Sequence, residues 1–448
     1  MNNKYLYIIL GLLTTILVNI FFSEIYWLSS IGLGLTVSLA YLFIDNLGKT
    51  FPILELSLLL ASMQWIIGPF QDYRLENKHY KYFMYVDEST YMTLVVPSMI
   101  LFSFGALFWV RSNSFKNFLD DLELHLKSLK PYVAYMLMIG GFACDFLQNS
   151  APGALAFVFF LLSNLKYIGS AYYLYGTQSN ARWYVFWGIL GLTFISSIKA
   201  GMFHDFFLWS VFLFSIAALR LKLSLLSKIF ISVVGLFGIY ILQSVKGDYR
   251  EIIWKGKVSG SKYELFFDLV INKLEGNTNN SDEIGEVNTR LNQGWIISAI
   301  MKNVPVKQSF AQGETIEEAI YASVLPRFLN PEKKQAGGRE NFKRFTGLEL
   351  GEGTSMGTSI IGEAYANFGN NGTYVFMLIW GLSLSYYWRI LLKISKKNPT
   401  LILWIPILFL QVVKAETELV VVLNHLVKSS MLVFGVFWIS RNVLKVQL

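Results

Sequence analysis

The sequence predicts an all-α polytopic membrane protein, with about 12 transmembrane helices and one large extracytoplasmic loop of short helices. Three observations carry that expectation. The chain of 448 residues is 54% hydrophobic and only 15% charged, where a soluble domain has about 25% charged residues; its mean hydropathy is +0.45. Apolar runs recur along it at the length needed to cross a bilayer core, about 20 residues. A single polar stretch, residues 245–359, interrupts the pattern and holds no long hydrophobic run. The chain thus divides into residues 1–244 with nine spans, the loop 245–359, and residues 360–448, which return to the membrane and carry three more.

In order, the candidate spans are 5–22, 25–43, 51–70, 91–110, 132–148, 153–175, 183–198, 202–219, 228–243, 372–392, 401–413 and 419–439. The first has no small-residue cleavage site before Glu24, so it reads as an anchoring helix and not a cleaved signal. The eleventh is short enough to be tilted, re-entrant or differently bounded. With the N-terminus in the cytoplasm, the inner segments hold sixteen Lys or Arg. The short outer loops hold five: Arg74, Lys78, Lys81, Lys199 and Lys414. That asymmetry follows the positive-inside rule. It implies an even number of spans, cytoplasmic termini and a large loop on the periplasmic or extracellular face. The net charge of +8 is then mostly a topology signal, because residues 246–352 balance fifteen Lys or Arg against fifteen Asp or Glu. A neutral loop is not a nucleic-acid surface.

Periodicity places helices within the loop at 263–274, 290–302 and 315–324, separated by turn-rich stretches. Between spans four and five, residues 112–131 space Phe115, Phe118, Leu122, Leu126 and Leu129 as an amphipathic helix lying on the membrane.

Four constellations could carry chemistry. In LPRFLNPEKK (325–334), Pro326 and Pro331 fix the backbone around Arg327, with Lys333 and Lys334 close behind. A rigid turn bearing guanidinium and ammonium groups suits phosphate; an ordinary charged turn beside the membrane reads the same way. In GEGTSMGTSIIGEAYANFGNNG (351–372), Glu363, Tyr365 and Asn367 follow a run of small residues. Glu363 and Asn367 stand at i and i+4 and share a helix face. A carboxylate sheltered there can act as a general base, or it can simply begin a helix. Arg290, with Trp295 five residues on, and Arg250 in GDYRE pair cations with aromatics, a weak signal for a sugar cleft. Last come polar residues at membrane depth: Asp145, Lys166, Lys199, His204, Asp205, Lys414, Glu416, Glu418, His425 and Lys428. Such residues usually face a cavity or one another. His425 and Lys428, at i and i+3 on the last span, are candidates for an anion site, although a lone His in a bundle is more often structural.

Nothing in the sequence points to a cofactor, a nucleotide or a metal. There is no Walker loop, dinucleotide glycine fingerprint, HExxH or CxxC, and the four His are scattered. The single Cys144 allows no internal disulfide.

The order of these features resembles the bacterial polysaccharide repeat-unit polymerases, the Wzy-type O-antigen polymerases and their capsule and exopolysaccharide relatives. The architecture is similar along the whole chain, and the motifs over residues 290–372. The resemblance implies a GT-C-like glycosyltransferase of the bacterial cytoplasmic (inner) membrane. Such an enzyme joins undecaprenyl-diphosphate-linked oligosaccharides, one as donor and one as acceptor, alongside a chain-length regulator and a flippase. In that scheme Arg290 and Arg327 would stabilise the diphosphate leaving group with Lys333, and Glu363 would act as base. Arg250, Tyr365, Asn367, His425 and Lys428 would bind substrate. O-antigen ligases share the architecture but use a loop His, and this chain has none between His204 and His425. The alternatives are a ligase-like or other lipid-linked-sugar transferase, and a lipid-oligosaccharide flippase or other transporter, which would show two related halves; no internal symmetry is evident.

Overall fold

The backbone follows the apolar periodicity closely. The computed structural model describes residues 5–75, 81–110, 115–148, 150–256, 260–275, 291–324, 338–351, 354–446 and 448. Its helices are α1 (Leu6–Phe21), α2 (Trp27–Asn46), α3 (Ile53–Asp72), α4 (Glu88–Leu107), α5 (Phe115–Ser128), α6 (Tyr132–Leu147), α7 (Gly153–Ser163), α8 (Leu165–Gly176), α9 (Ala181–Ala200), α10 (His204–Leu221) and α11 (Leu225–Trp254). The loop adds α12 (Lys262–Leu274), α13 (Gly294–Asn303), α14 (Glu314–Val324) and α15 (Arg339–Thr346). The chain then returns through α16 (Ile360–Ser395), α17 (Leu401–Phe409) and α18 (Leu419–Asn442). No extended strand occurs among the described residues.

The predicted spans fall on helices, with 401–413 helical only as far as Phe409, and nine helices among the described residues are long and apolar enough to cross a membrane, counting α7–α8 as one. Helices α1 and α6 have 16 residues each. Helix α17, the eleventh predicted span, has nine; at 1.5 Å per residue it rises about 13 Å, less than half a bilayer core. All nine of its residues are buried, Pro406 included, as suits a short element enclosed by protein. Helix α11 runs on through Lys246 and Arg250 to Trp254, so the loop begins as a continuation of the ninth span.

Close glycine contacts set the helix pairs. A Cβ added to Gly105 of α4 would stand 2.6 Å from Leu378 O, and one on Gly381 of α16 would stand 2.5 Å from Phe102 O. Ser385 Oγ donates to Gly105 O across the same crossing at 2.8 Å. Gly11 and Gly34 bring α1 to α2, and Gly141 and Gly169 bring α6 to α8, in the same manner. Apolar side chains gain nothing from leaving lipid for one another, so close backbone approach and interhelical hydrogen bonds hold such pairs.

The amphipathic helix α5, expected to lie on the membrane, turns its apolar face to the bundle instead. Phe118, Leu122 and Leu126 are buried, the Leu126 carbonyl sits against Gly176 of α8, and Glu123 faces Arg220 at 3.9 Å. A protein groove satisfies the same periodicity as a lipid surface.

The loop is sewn to the bundle at a defect. Helix α3 contains a π-helical turn, Met63–Ile67, and such turns release carbonyls from the helical ladder. Gln64 O accepts from Gln293 N at 3.2 Å, and Trp65 O from Tyr91 Oη at 2.9 Å. Gly68 and Gly294 leave room for this docking: a Cβ on Gly68 would meet Asn292 Cα at 2.6 Å, and one on Gly294 would meet Tyr91 Oη at 2.2 Å. Helix α13 follows with Trp295, Ile296, Ile297 and Ile300 buried.

Two expectations follow. Gly381→Leu destabilises the protein by about 2 kcal/mol through overpacking, whereas Gly238→Leu on α11, where a side chain meets open space, stays within about 0.5 kcal/mol of wild type; thermal unfolding in detergent reads both. At the start of α4, Asp87 caps the helix by accepting from Thr90 N at 2.9 Å. Hydrogen bonds from the Ser89 hydroxyl and from Thr90 hold its carboxyl down at about 2, against an ordinary 3.8. A depressed carboxyl stabilises the fold above its unfolded pKa and loses that contribution as pH falls through its folded one. Asp87→Ala should therefore cost about 1 kcal/mol near neutral pH, with the gap to wild type closing as pH falls from 3.8 towards about 2.

Candidate functional site

The return segment forms the centre of the site. Gly369, with φ 64° and ψ −166°, breaks α16, dividing a first portion, buried over 360–367, from the long helix beyond. The break takes the carbonyls of Ala366 and Asn367 out of the helical ladder, and the loop supplies their donors: Ala311 N to Ala366 O at 3.0 Å and Gln312 N to Asn367 O at 3.1 Å. This backbone seam positions α14 against both α16 and α18.

Three sequence-predicted residues meet here. Glu363 and Asn367 share a helix face as their spacing requires. The Asn367 side chain donates to Glu363 O at 2.8 Å and to Thr315 Oγ1 at 2.7 Å, and accepts from Gly313 N at 2.9 Å. Tyr365 donates to Val304 O at 3.3 Å and meets Phe310 edge to face, centroids 6.1 Å apart. Glu363 is 2% exposed, and its Oε2 accepts from Leu419 N at 2.8 Å. Glu418, the residue at the cap position of α18, makes no side-chain cap, so Glu363 supplies the anion at that helix N-terminus from a different helix. The Thr315 hydroxyl also bonds the Glu363 carboxyl, and Glu418 lies close enough to act on it electrostatically. One carboxylate thus joins α14, α16 and α18 while a second, at Glu418, sits beside it.

Charge of the other sign approaches through Lys414, in the turn between α17 and α18, whose ammonium is 3.9 Å from Asp205. Burial pushes its pKa below the ordinary value, against the opposing pull of Asp205 and Glu416. Further along α18, His425 is 2% exposed and stands edge-on to Phe157 at 6.4 Å. Lys428 places its ammonium 5.1 Å from the centre of the same ring. Asp145 and Lys166 pair across α6 and α8 at 2.6 Å.

Arg250 lies elsewhere. Its Nε donates to Gly201 O at 2.7 Å and its guanidinium covers Trp254 at 4.8 Å, within a smaller cluster of Tyr249, Ile253, Phe203 and Phe266. Arg290, Arg327 and Lys333 lie outside the described residues.

Thr315, Thr358 and Ser359 were not anticipated. Thr315 reads in sequence as the first residue of an amphipathic helix, and Thr358 and Ser359 only as part of the run of small residues before Glu363; nothing in the spacing of Thr315 announces Asn367, 52 residues away. Because Asn367 ties the start of α14 to α16 through two hydrogen bonds, to Thr315 Oγ1 and from Gly313 N, Asn367→Ala should leave Gly313 N unpaired and remove the donor to Thr315 at a cost of about 2 kcal/mol. Amide exchange at residues 311–315 should accelerate, while exchange in α4 stays unchanged.

No curated protein and no solved structure matches the chain. Residues 91–388, from within α4 to within α16 and so including the loop and Glu363, match the model of a family described as a domain of unknown function, DUF8712. The match spans more than half of the sequence, and the protein belongs to that family.

Proposed function

We propose that this chain is a membrane glycosyltransferase that polymerises undecaprenyl-diphosphate-linked oligosaccharide repeat units on the outer face of the bacterial cytoplasmic membrane. The observation that carries the reading is the buried Glu363 carboxylate where three helices from loop and bundle meet. Ionisable groups buried in an apolar bundle are costly, and one held by three elements is a candidate for function. In the proposed step, an acceptor sugar hydroxyl attacks the anomeric carbon of the donor. The C–O bond to the lipid diphosphate breaks, the diphosphate leaves with the bonding pair, and the hydroxyl proton passes to Glu363. A single displacement inverts the anomeric configuration. Arg290, Arg327 and Lys333 are assigned to the growing charge on the leaving diphosphate, where preorganised cations act most strongly.

A second reading, a lipid-oligosaccharide flippase, draws support from the interrupted helices: the π-turn in α3, the α7–α8 junction at Asn164 and the break at Gly369. Transporters place substrate sites at such breaks.

Expression in a host lacking its own polymerase for the matching polysaccharide separates the two. Wild type should give a ladder of repeat units on a gel. Arg327→Ala should lose it at normal protein level, by about 100-fold or more in turnover. Glu363→Gln should do the same while staying folded, because the amide oxygen still accepts from Leu419 N. Single repeat units at the surface without a ladder would favour the flippase, and normal turnover in Glu363→Gln would remove the base.

A further inference from the structure

The stretch just before α16 is built in a way that its packing alone does not require. Gly357 lies flat on the turn ahead of α18: a Cβ there would come 2.5 Å from Glu416 O and 3.2 Å from Glu418 N. Gly338, at the start of α15, covers the other side, 2.5 Å from Met356 O by the same measure. Between them Thr358 and Ser359 are fully buried, at 0% exposure. Thr358 Oγ1, Ser359 Oγ and Glu416 Oε2 are buried and have no hydrogen-bond partner among the described residues. Ser359 has φ 60° and ψ 153°, a backbone conformation that glycine takes freely and that other residues enter only at a cost. Its own carbonyl accepts from Glu363 N at 2.9 Å, so the strained residue adjoins the proposed base.

Strain and orphaned hydroxyls at two successive buried residues oppose stability, and such features persist where a site needs them. We propose that Thr358, Ser359 and Glu416 form a subsite that binds hydroxyl groups of the sugar unit; this rests on the glycosyl-transfer reading above. The chemistry selects the ligand class. A sugar hydroxyl accepts from a Ser or Thr O–H and donates to a carboxylate oxygen at once, so it matches both kinds of orphan. A phosphate would take the hydroxyls but meet Glu416 and Glu418. A cation would take the oxygens but face the N-termini of α16 and α18, whose dipoles repel it, together with Lys414. A neutral polyol satisfies all three without either conflict.

The subsite separates stability from activity. Ser359→Gly removes the hydroxyl and relieves the backbone, so its thermal midpoint should rise by about 2–4 °C. Its affinity for the repeat-unit oligosaccharide, released from the lipid and measured by calorimetry, should fall by about tenfold. Thr358→Val should weaken binding similarly, with a gain in midpoint limited to the loss of one orphaned hydroxyl because no backbone strain is relieved, and Thr358→Ser should restore binding. The same variants should raise KM in the polymerisation assay more than they lower kcat. Wild-type affinity in Ser359→Gly and Thr358→Val would overturn the subsite, whatever the midpoints do. A wild type that makes no ladder, yet binds the oligosaccharide in a manner lost in both variants, would overturn the polymerase reading and leave the subsite standing.

Discussion

A chain in a bilayer must keep its backbone polar groups paired, and the structure turns on how two interruptions meet that demand. The π-turn in α3 and the break at Gly369 each free carbonyls that no helical ladder can satisfy. In both places the hydrophilic loop supplies donors: Gln293 N to Gln64 O at the first, where Tyr91 Oη of α4 answers Trp65 O, and Ala311 N and Gln312 N at the second. The loop is consequently part of the bundle. Its helices α13 and α14 are placed by backbone hydrogen bonds into specific defects, and side chains such as Ile297 and Thr315 pack around those anchors.

The same logic governs the charges. Glu363 is tolerated at 2% exposure because an amide of α18, the Thr315 hydroxyl and a helix dipole all answer it. Lys414 is held between Asp205 and Glu416, and Lys166 against Asp145. Lys428 rests its ammonium on Phe157. Pairing across helices is what allows so many ionisable groups into an apolar bundle, and it makes the last span a structural partner of the loop. A carboxylate bound to three helices is also sensitive to any shift among them, which couples the loop's position to the chemistry proposed for that group.

Much of this was legible in the residues. The apolar runs marked twelve helices because a hydrocarbon environment leaves a helix as the only open-ended way to pair the backbone. The 3.6-residue period marked α12 and α14 to within one residue and the end of α13 likewise, while α13 begins at Gly294, four residues later than the pattern placed it. The i, i+4 relation of Glu363 and Asn367 and the i, i+3 relation of His425 and Lys428 are local geometry, and both pairs share a face as expected. Where a partner was needed, periodicity was silent. The apolar stripe of α5 could as well have met lipid as α8. The 401–413 run was apolar enough for a span, but only the packing around α17 showed a nine-residue helix enclosed by protein. Arg250, which looked like part of a sugar cleft beside an aromatic, is occupied by Gly201 O and Trp254.

The sequence by itself determined the membrane character of this protein, its helical content and the candidates for its chemistry. Each of these follows from composition or from spacing along a single element. Only the tertiary structure decided that Glu363 caps α18, that Asn367 clamps α14, and that Gly357, two residues before the strained Ser359, lies against Glu416. These depend on contacts between residues far apart in the chain, and hydrogen-bond partners across such distances leave no periodic trace.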